Sequence, residues 1–259
     1  MDRTIACLQE WQSVIYDDHV EATAVVATSA VRDATNRQEF LDRVKRETGF
    51  NVEVITGDEE ARRTLLGIRS GLPTGATDIL ALDIGGGSTE FILDRQGQEP
   101  IVRSIDIGVV RLCERVLRHD PPDPEEVRQA REWVSREARA AVADMGDYRQ
   151  ATFIGTAGTV TSLAAMAQQL KSYESARIHN YVLSLETIRA LEHTLLSRTK
   201  ADRVGLPGLE KNREEVIAAG AIIIRTIMET LGQHSAMVSD LGLREGVLLH
   251  LADGGRDDA

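Results

Sequence analysis

The sequence predicts a mixed α/β protein built in two unequal parts. Over residues 1–75, helix and strand patterns alternate, the mark of parallel strand pairing. Between 79 and 105, three strand-like runs follow one another across short glycine turns, the mark of an antiparallel meander. Beyond 120, long helical periods dominate and enclose two short strand runs. With 259 residues, 42% hydrophobic and 27% charged, the chain can bury one large core or two modest ones and is too apolar to be disordered.

The first element is an amphipathic helix over 3–16, with Ile5, Leu8, Trp11 and Ile15 on one face. A strand over 22–27 ends at Thr28-Ser29, and a helix over 37–47 is stopped by Gly49. Residues 52–55 read as a strand and 58–70 as a helix. The strands of the meander are 79–84, 88–93 and 101–105. Asp120-Pro121-Pro122-Asp123-Pro124 is the clearest break and leads onto a long polar helix over 125–144. A strand over 151–154, helices over 159–170, 185–196 and 214–231, a strand over 237–239 and a helix over 243–251 complete the pattern. The expected units are 1–75, then 76–252 with helical additions, then a polar tail over 253–259.

A formal net charge of −11 excludes a broad face for a nucleic-acid polymer. Phosphate groups could then be held only locally, by backbone N–H groups, a few arginines or a metal ion. Cys7 and Cys113 fit no metal-ligand spacing and lie in helical apolar patterns, so two buried free thiols in a reducing cytoplasm are expected. The apolar stretch Ile5-Ala6-Cys7-Leu8 stops at Gln9-Glu10, unlike a signal peptide. The longest apolar run, 216–224, falls far short of the ~18 residues that cross a bilayer, so a soluble protein without a membrane partner is expected.

The strongest chemical signal is Leu82-Asp83-Ile84-Gly85-Gly86-Gly87-Ser88-Thr89-Glu90. Three consecutive glycines turn tightly and leave N–H groups uncovered, which suits a nest for phosphate oxygens. A strand follows, so this is neither a Walker loop nor a dinucleotide fingerprint, both of which open a helix. Asp83 ends a buried strand and is placed to hold Mg²⁺ directly or through water; Glu90 lies three residues beyond the glycines. A plain glycine hairpin needs neither the acid before the turn nor Ser-Thr-Glu after it.

Three weaker signals accompany it. In Phe153-Ile154-Gly155-Thr156-Ala157-Gly158-Thr159 a strand passes through two glycines into a helix, whose N–H groups and dipole can face an anion; such turns are also common packing devices. In Ile55-Thr56-Gly57-Asp58-Glu59-Glu60-Ala61-Arg62, Thr56 and Glu59 match a capping box, which leaves Glu60 either to activate a water molecule or to sit in solvent. In Ala27-Thr28-Ser29-Ala30-Val31-Arg32-Asp33, Arg32 suits bidentate phosphate contact or a surface pair with Asp33.

Together with Ser239-Asp240-Leu241-Gly242-Leu243-Arg244-Glu245-Gly246, these motifs, in this order, resemble the Ppx/GppA family of exopolyphosphatases and guanosine pentaphosphate phosphohydrolases over 4–251. The resemblance implies an ASKHA fold, two ribonuclease-H-like halves around a cleft as in actin, Hsp70 and sugar kinases, with the first half incomplete here. It implies Mg²⁺-dependent release of terminal phosphate from polyphosphate or pppGpp. Glu60 would orient or deprotonate the attacking water. Asp83 and Glu90 would serve the metal. Arg32, Gly85, Gly86, Gly87 and Ser88 would hold phosphate, with Gly155, Thr156, Gly158 and Thr159 lining the second turn. Family behaviour also implies a homodimer.

The chain begins after the Asp-x-Gly-[Ser/Thr]-Asn hairpin that opens family members. An unpaired edge on the first sheet and weak or no activity from 1–259 alone are therefore expected, with an upstream hairpin restoring activity. Two other readings follow from the same residues: a non-catalytic binder of polyphosphate or alarmone, and a kinase-like ATP-using enzyme, with Glu60 and Arg62 favouring hydrolysis over the latter.

Overall fold

The computed structural model describes residues 1–73 and 78–254. The expected boundary at 75/76 and tail residues 255–259 lie outside the described residues.

The first segment runs α1 (Asp2–Asp17), β1 (Val25–Ala27), α2 (Ser29–Arg32), α3 (Arg37–Thr48), β2 (Val52–Val54) and α4 (Gly57–Gly71). Strands β1 and β2 pair in parallel, Val25 opposite Val52, and form a two-stranded sheet. Gly49 ends α3 in the left-handed region at φ 74°, which a glycine adopts without steric cost.

The remainder runs β3 (Ile79–Ile84), β4 (Thr89–Asp94), β5 (Ile101–Ile105), α5 (Val109–Arg115), α6 (Pro124–Val142), β6 (Thr152–Thr156), α7 (Ala157–Ala167) and α8 (Ser175–Ile178). It continues with β7 (Val182–Ser184), α9 (Leu185–Leu196), α10 (Lys200–Arg203), α11 (Ile217–Leu231), β8 (Ser235–Val238) and α12 (Leu243–Ala252). The strands form one sheet in the order β5-β4-β3-β6-β8-β7. The meander is antiparallel as expected, while β3, β6 and β8 are parallel.

Strand β3 is covered on both faces, which explains its almost unbroken apolar run. Leu80 and Leu82 face the large core under α6, α7, α9 and α11, whereas Ile79 and Ala81 face Ala61, Leu65 and Ile68 of α4. Helix α4 therefore packs on the six-stranded sheet. It crosses α12 at backbone distance: a Cβ at Gly67 would lie 2.0 Å from Gly242 O, and one at Gly246 1.6 Å from Arg63 O. It is also tied to β2 by Arg63, whose guanidinium donates two 2.9 Å bonds to Glu53.

Two expectations are corrected. Cys7 is exposed and Cys113 only partly buried, both as free thiols. Helix α1 packs mainly on α3, so of its apolar face only Ile5 is buried and Trp11 stays 58% exposed. Among the described residues, no helix is long and apolar enough to cross a membrane.

Candidate active site

The β3–β4 hairpin places the first acids. Ile84 pairs with Thr89 across the glycine turn, so the next pair out is Asp83 with Glu90. Ser104 of β5 continues this row beyond Glu90, and Thr156 of β6 continues it beyond Asp83. Two carboxylates directly opposite each other repel, and burial strengthens the repulsion. Burial, then the Glu90 and Glu60 charges, push Asp83 up to about 7. Burial also raises Glu90, against hydrogen bonds from Ser88 and Ser104; the Ser104 bond measures 2.8 Å.

Glu60 enters from the first turn of α4. Its carboxyl is raised by burial and by the Glu90 charge, against hydrogen bonds from Arg32 and Thr28. Arg32 Nη1 donates to Ile55 O at 2.9 Å and lies 3.5 Å from Glu60 Oε2, so the chain that carries Glu60 also fixes the arginine. Thr56 Oγ1 accepts from Glu59 N at 3.2 Å, but the Glu59 carboxylate turns to Arg63 and Arg62. Half of the expected capping box forms. Arg62 is 66% exposed and bound to Glu59, so it does not bear on the choice between hydrolysis and phosphate transfer to another acceptor.

The glycine loop lies against α5. Gly85 N donates to Ser88 O at 3.0 Å, closing the turn. Gly108 packs directly on Gly86, since a Cβ there would lie 2.4 Å from the Gly86 carbonyl. A methyl group at Gly87 would stand 3.8 Å from Ser29 Oγ, which brings the start of α2 close to the loop.

The second glycine turn is used differently from expectation. Gly155 and Thr159 do not line the cleft: Gly155 makes room for Val160, and Thr159 is buried against Gly220. The Thr156 hydroxyl is shared between Ser239 O and Leu241 O, each at 3.1 Å. Ala157 is held at φ 65°, a strained conformation for a residue with a Cβ. Gly158 carries the Arg213 guanidinium, which a Cβ would meet at 2.0 Å; Glu210 holds that arginine at 2.9 Å.

Of the expected site residues, Glu60, Asp83, Thr156 and Gly158 line one cleft of about 600 Å³, whereas Arg32, Gly85, Gly86, Gly87, Ser88 and Glu90 are not among its lining residues. Tyr173, Arg213 and Asp240 also line it, and the Tyr173 hydroxyl bonds to Asp240. Sequence reasoning assigned none of these three a role. Tyr173 and Arg213 belong to segments with no periodic pattern, and Asp240 stands inside the motif over 239–246 with nothing local to mark it.

The sequence profile of the Ppx/GppA phosphatase family matches residues 1–254. The chain belongs to that family. Among its Ppx/GppA relatives, "Exopolyphosphatase 2" of Mycobacterium tuberculosis is 34% identical over 261 residues, 96% of this chain and 81% of that protein. A "Guanosine-5'-triphosphate,3'-diphosphate pyrophosphatase" of Aeromonas hydrophila is 30% identical over 99% of this chain and 50% of its own length. The crystal structure of the Aquifex aeolicus Ppx/GppA family member superposes with a TM-score of 0.83 at 33% identity, covering 99% of this chain and 82% of that one. An exopolyphosphatase of Cytophaga hutchinsonii gives 0.88 at 29% identity, with 98% and 82% covered. The fold is thus the ASKHA type of the Ppx/GppA proteins, and the chain is a hydrolase of that type.

Proposed function

We propose that the chain hydrolyses the terminal phosphoanhydride of inorganic polyphosphate or pppGpp with the aid of a divalent cation, Mg²⁺ by preference. The observation that carries this reading is the convergence of Glu60, Asp83 and Glu90 beside a glycine turn, where the Glu90 charge adds to burial in raising the proton affinity of Glu60, and the Glu90 and Glu60 charges add to it in raising that of Asp83.

Glu60 is the general base. Its raised carboxyl is more basic than a free glutamate, which suits it to take a proton from water near neutrality. Arg32 favours its ionised form and offers donors to a phosphate oxygen. The N–H groups of Gly86, Gly87 and Ser88 supply fixed donors that need no reorganisation as charge moves onto the leaving oxygen.

The donor set fits a hard divalent ion: Asp83 and Glu90 offer oxygen ligands in an environment with excess buried negative charge. Mg²⁺ keeps several waters and needs only one or two carboxylates, so Asp83 and Glu90 would suffice to hold it. Such an ion, when bound, offsets charge on the transferring phosphoryl group.

Phosphate release from polyphosphate, pppGpp and ATP, with and without Mg²⁺, tests the reading. Glu60→Gln should lower kcat by ~10² or more with a small change in KM. Asp83→Asn should abolish Mg²⁺-dependent turnover while the fold survives. Wild-type turnover in either variant would remove the assignment.

A further inference from the structure

The glycine turn has a backbone logic that extends to one side chain outside it. Gly85 O accepts from Val109 N at 3.0 Å, and Gly86 O from Val110 N at 2.9 Å and Arg111 N at 3.2 Å. Gly87 O accepts from Arg111 Nε at 2.8 Å. Three successive carbonyls are therefore tied to one short helix, α5. In a trans planar peptide the carbonyl and the following N–H point in opposite directions, and the one cis bond among the described residues is Asp120-Pro121. The N–H groups of Gly86, Gly87 and Ser88 consequently all point away from α5. Among the described residues, no protein acceptor takes a hydrogen bond from any of the three.

The ties are unequal. Those on Gly85 and Gly86 come from backbone amides, which any residue at 109–111 would supply. The tie on Gly87 comes from a side chain. Glycine imposes little steric barrier to turning over the Gly87–Ser88 peptide, so that plane depends on Arg111 for its direction. The guanidinium is itself held, with Nη2 3.5 Å from Asp106 Oδ1, and it lies against the Gly87 Cα, where a Cβ would meet Nη2 at 3.6 Å. A lysine ammonium could reach one of these partners but lacks the fixed fork that serves both.

We infer that Arg111 is a positioning residue for the phosphate cradle: its Nε–H bond to Gly87 O locks the Gly87–Ser88 peptide so that Ser88 N–H joins Gly86 and Gly87 N–H as a third donor. The inference rests on the reading of this loop as the phosphate site.

The test follows the amides themselves. Nitrogen-15 NMR of the full chain with tripolyphosphate and Mg²⁺ should shift the Gly86, Gly87 and Ser88 amides of the wild type. In Arg111→Ala the Ser88 shift should be lost and kcat/KM should fall ~10²-fold, the usual loss for one such donor. Arg111→Lys should recover only part of it, and added methylguanidine should raise the turnover of Arg111→Ala but not of the wild type. Should Arg111→Ala fail to fold, Arg111→Lys carries the same NMR comparison. A Ser88 shift and affinity in the variant equal to wild type would overturn the inference and leave the phosphate site standing. No shift at 86–88 in the wild type would overturn both.

Discussion

Asp83 and Glu90 were legible because a tight glycine turn pairs residues symmetrically about itself; once Gly85–Ser88 is a turn, 83 and 90 must face each other. Glu60 was legible only through its motif, because a first-turn glutamate has no local signature of burial. Asp83 yields a stability prediction with a definite sign. Its carboxyl is pushed up to about 7 in the folded chain, against ~3.9 when unfolded. The folded state binds the extra proton, so this contribution is fully present below pH ~4 and is lost as pH rises through about 7. Glu60 and Glu90 are raised too and act in the same direction. Asp83→Asn should therefore raise Tm of the metal-free protein more at pH 8 than at pH 5, with Mg²⁺ doing the same to the wild type. Thermal melts at the two pH values decide it; an equal or reversed gain would mean that the carboxylates are not in electrostatic conflict.

Long periodic elements were read from sequence to within a few residues: α9 covers 185–196 as expected, and β3 and β5 match fully. Helices α2, α5, α8 and α10 and strand β7 were not anticipated, since each has seven residues or fewer and too few turns for a period to show. The cost fell on the site, because α5 is the element that orients the glycine turn. The α4–α12 crossing was equally hidden, as nothing in a sequence says that two helical glycines face each other's backbones. Gly246→Ala puts two effects in competition. Alanine should gain ~1 kcal/mol of helix propensity, but its Cβ would lie 1.6 Å from Arg63 O, and overpacking costs ~1–3 kcal/mol or more. The clash wins, and the urea midpoint should fall. Gly57→Ala in the same region has open space and should be neutral or slightly stabilising. A Gly246→Ala protein as stable as wild type would mean that the two helices can separate at little cost.

The molecule divides its stability unevenly. The buried apolar residues of its two core clusters gather around the six-stranded sheet, while no residue of β1 or β2 is fully buried. Sheets with little apolar cover open locally at low free energy. Amides of Val25–Ala27 and Val52–Val54 should therefore exchange hydrogen well before those of β3 and β6, and uniform protection would refute this division. The sequence foretold a thin first sheet but not that α4 would join the larger one, because burial of Ala61, Leu65 and Ile68 depends on a partner sheet that begins at Ile79. That allegiance has a consequence for proton chemistry. Glu60 rides on the helix packed against the larger sheet and Arg32 on the segment that follows β1 of the thin one, with 3.5 Å between them. Opening of the small sheet would withdraw the cation that holds down the proton affinity of Glu60, while α4 keeps the glutamate in place. If Glu60 is the base proposed above, closure of the small sheet would be what readies it.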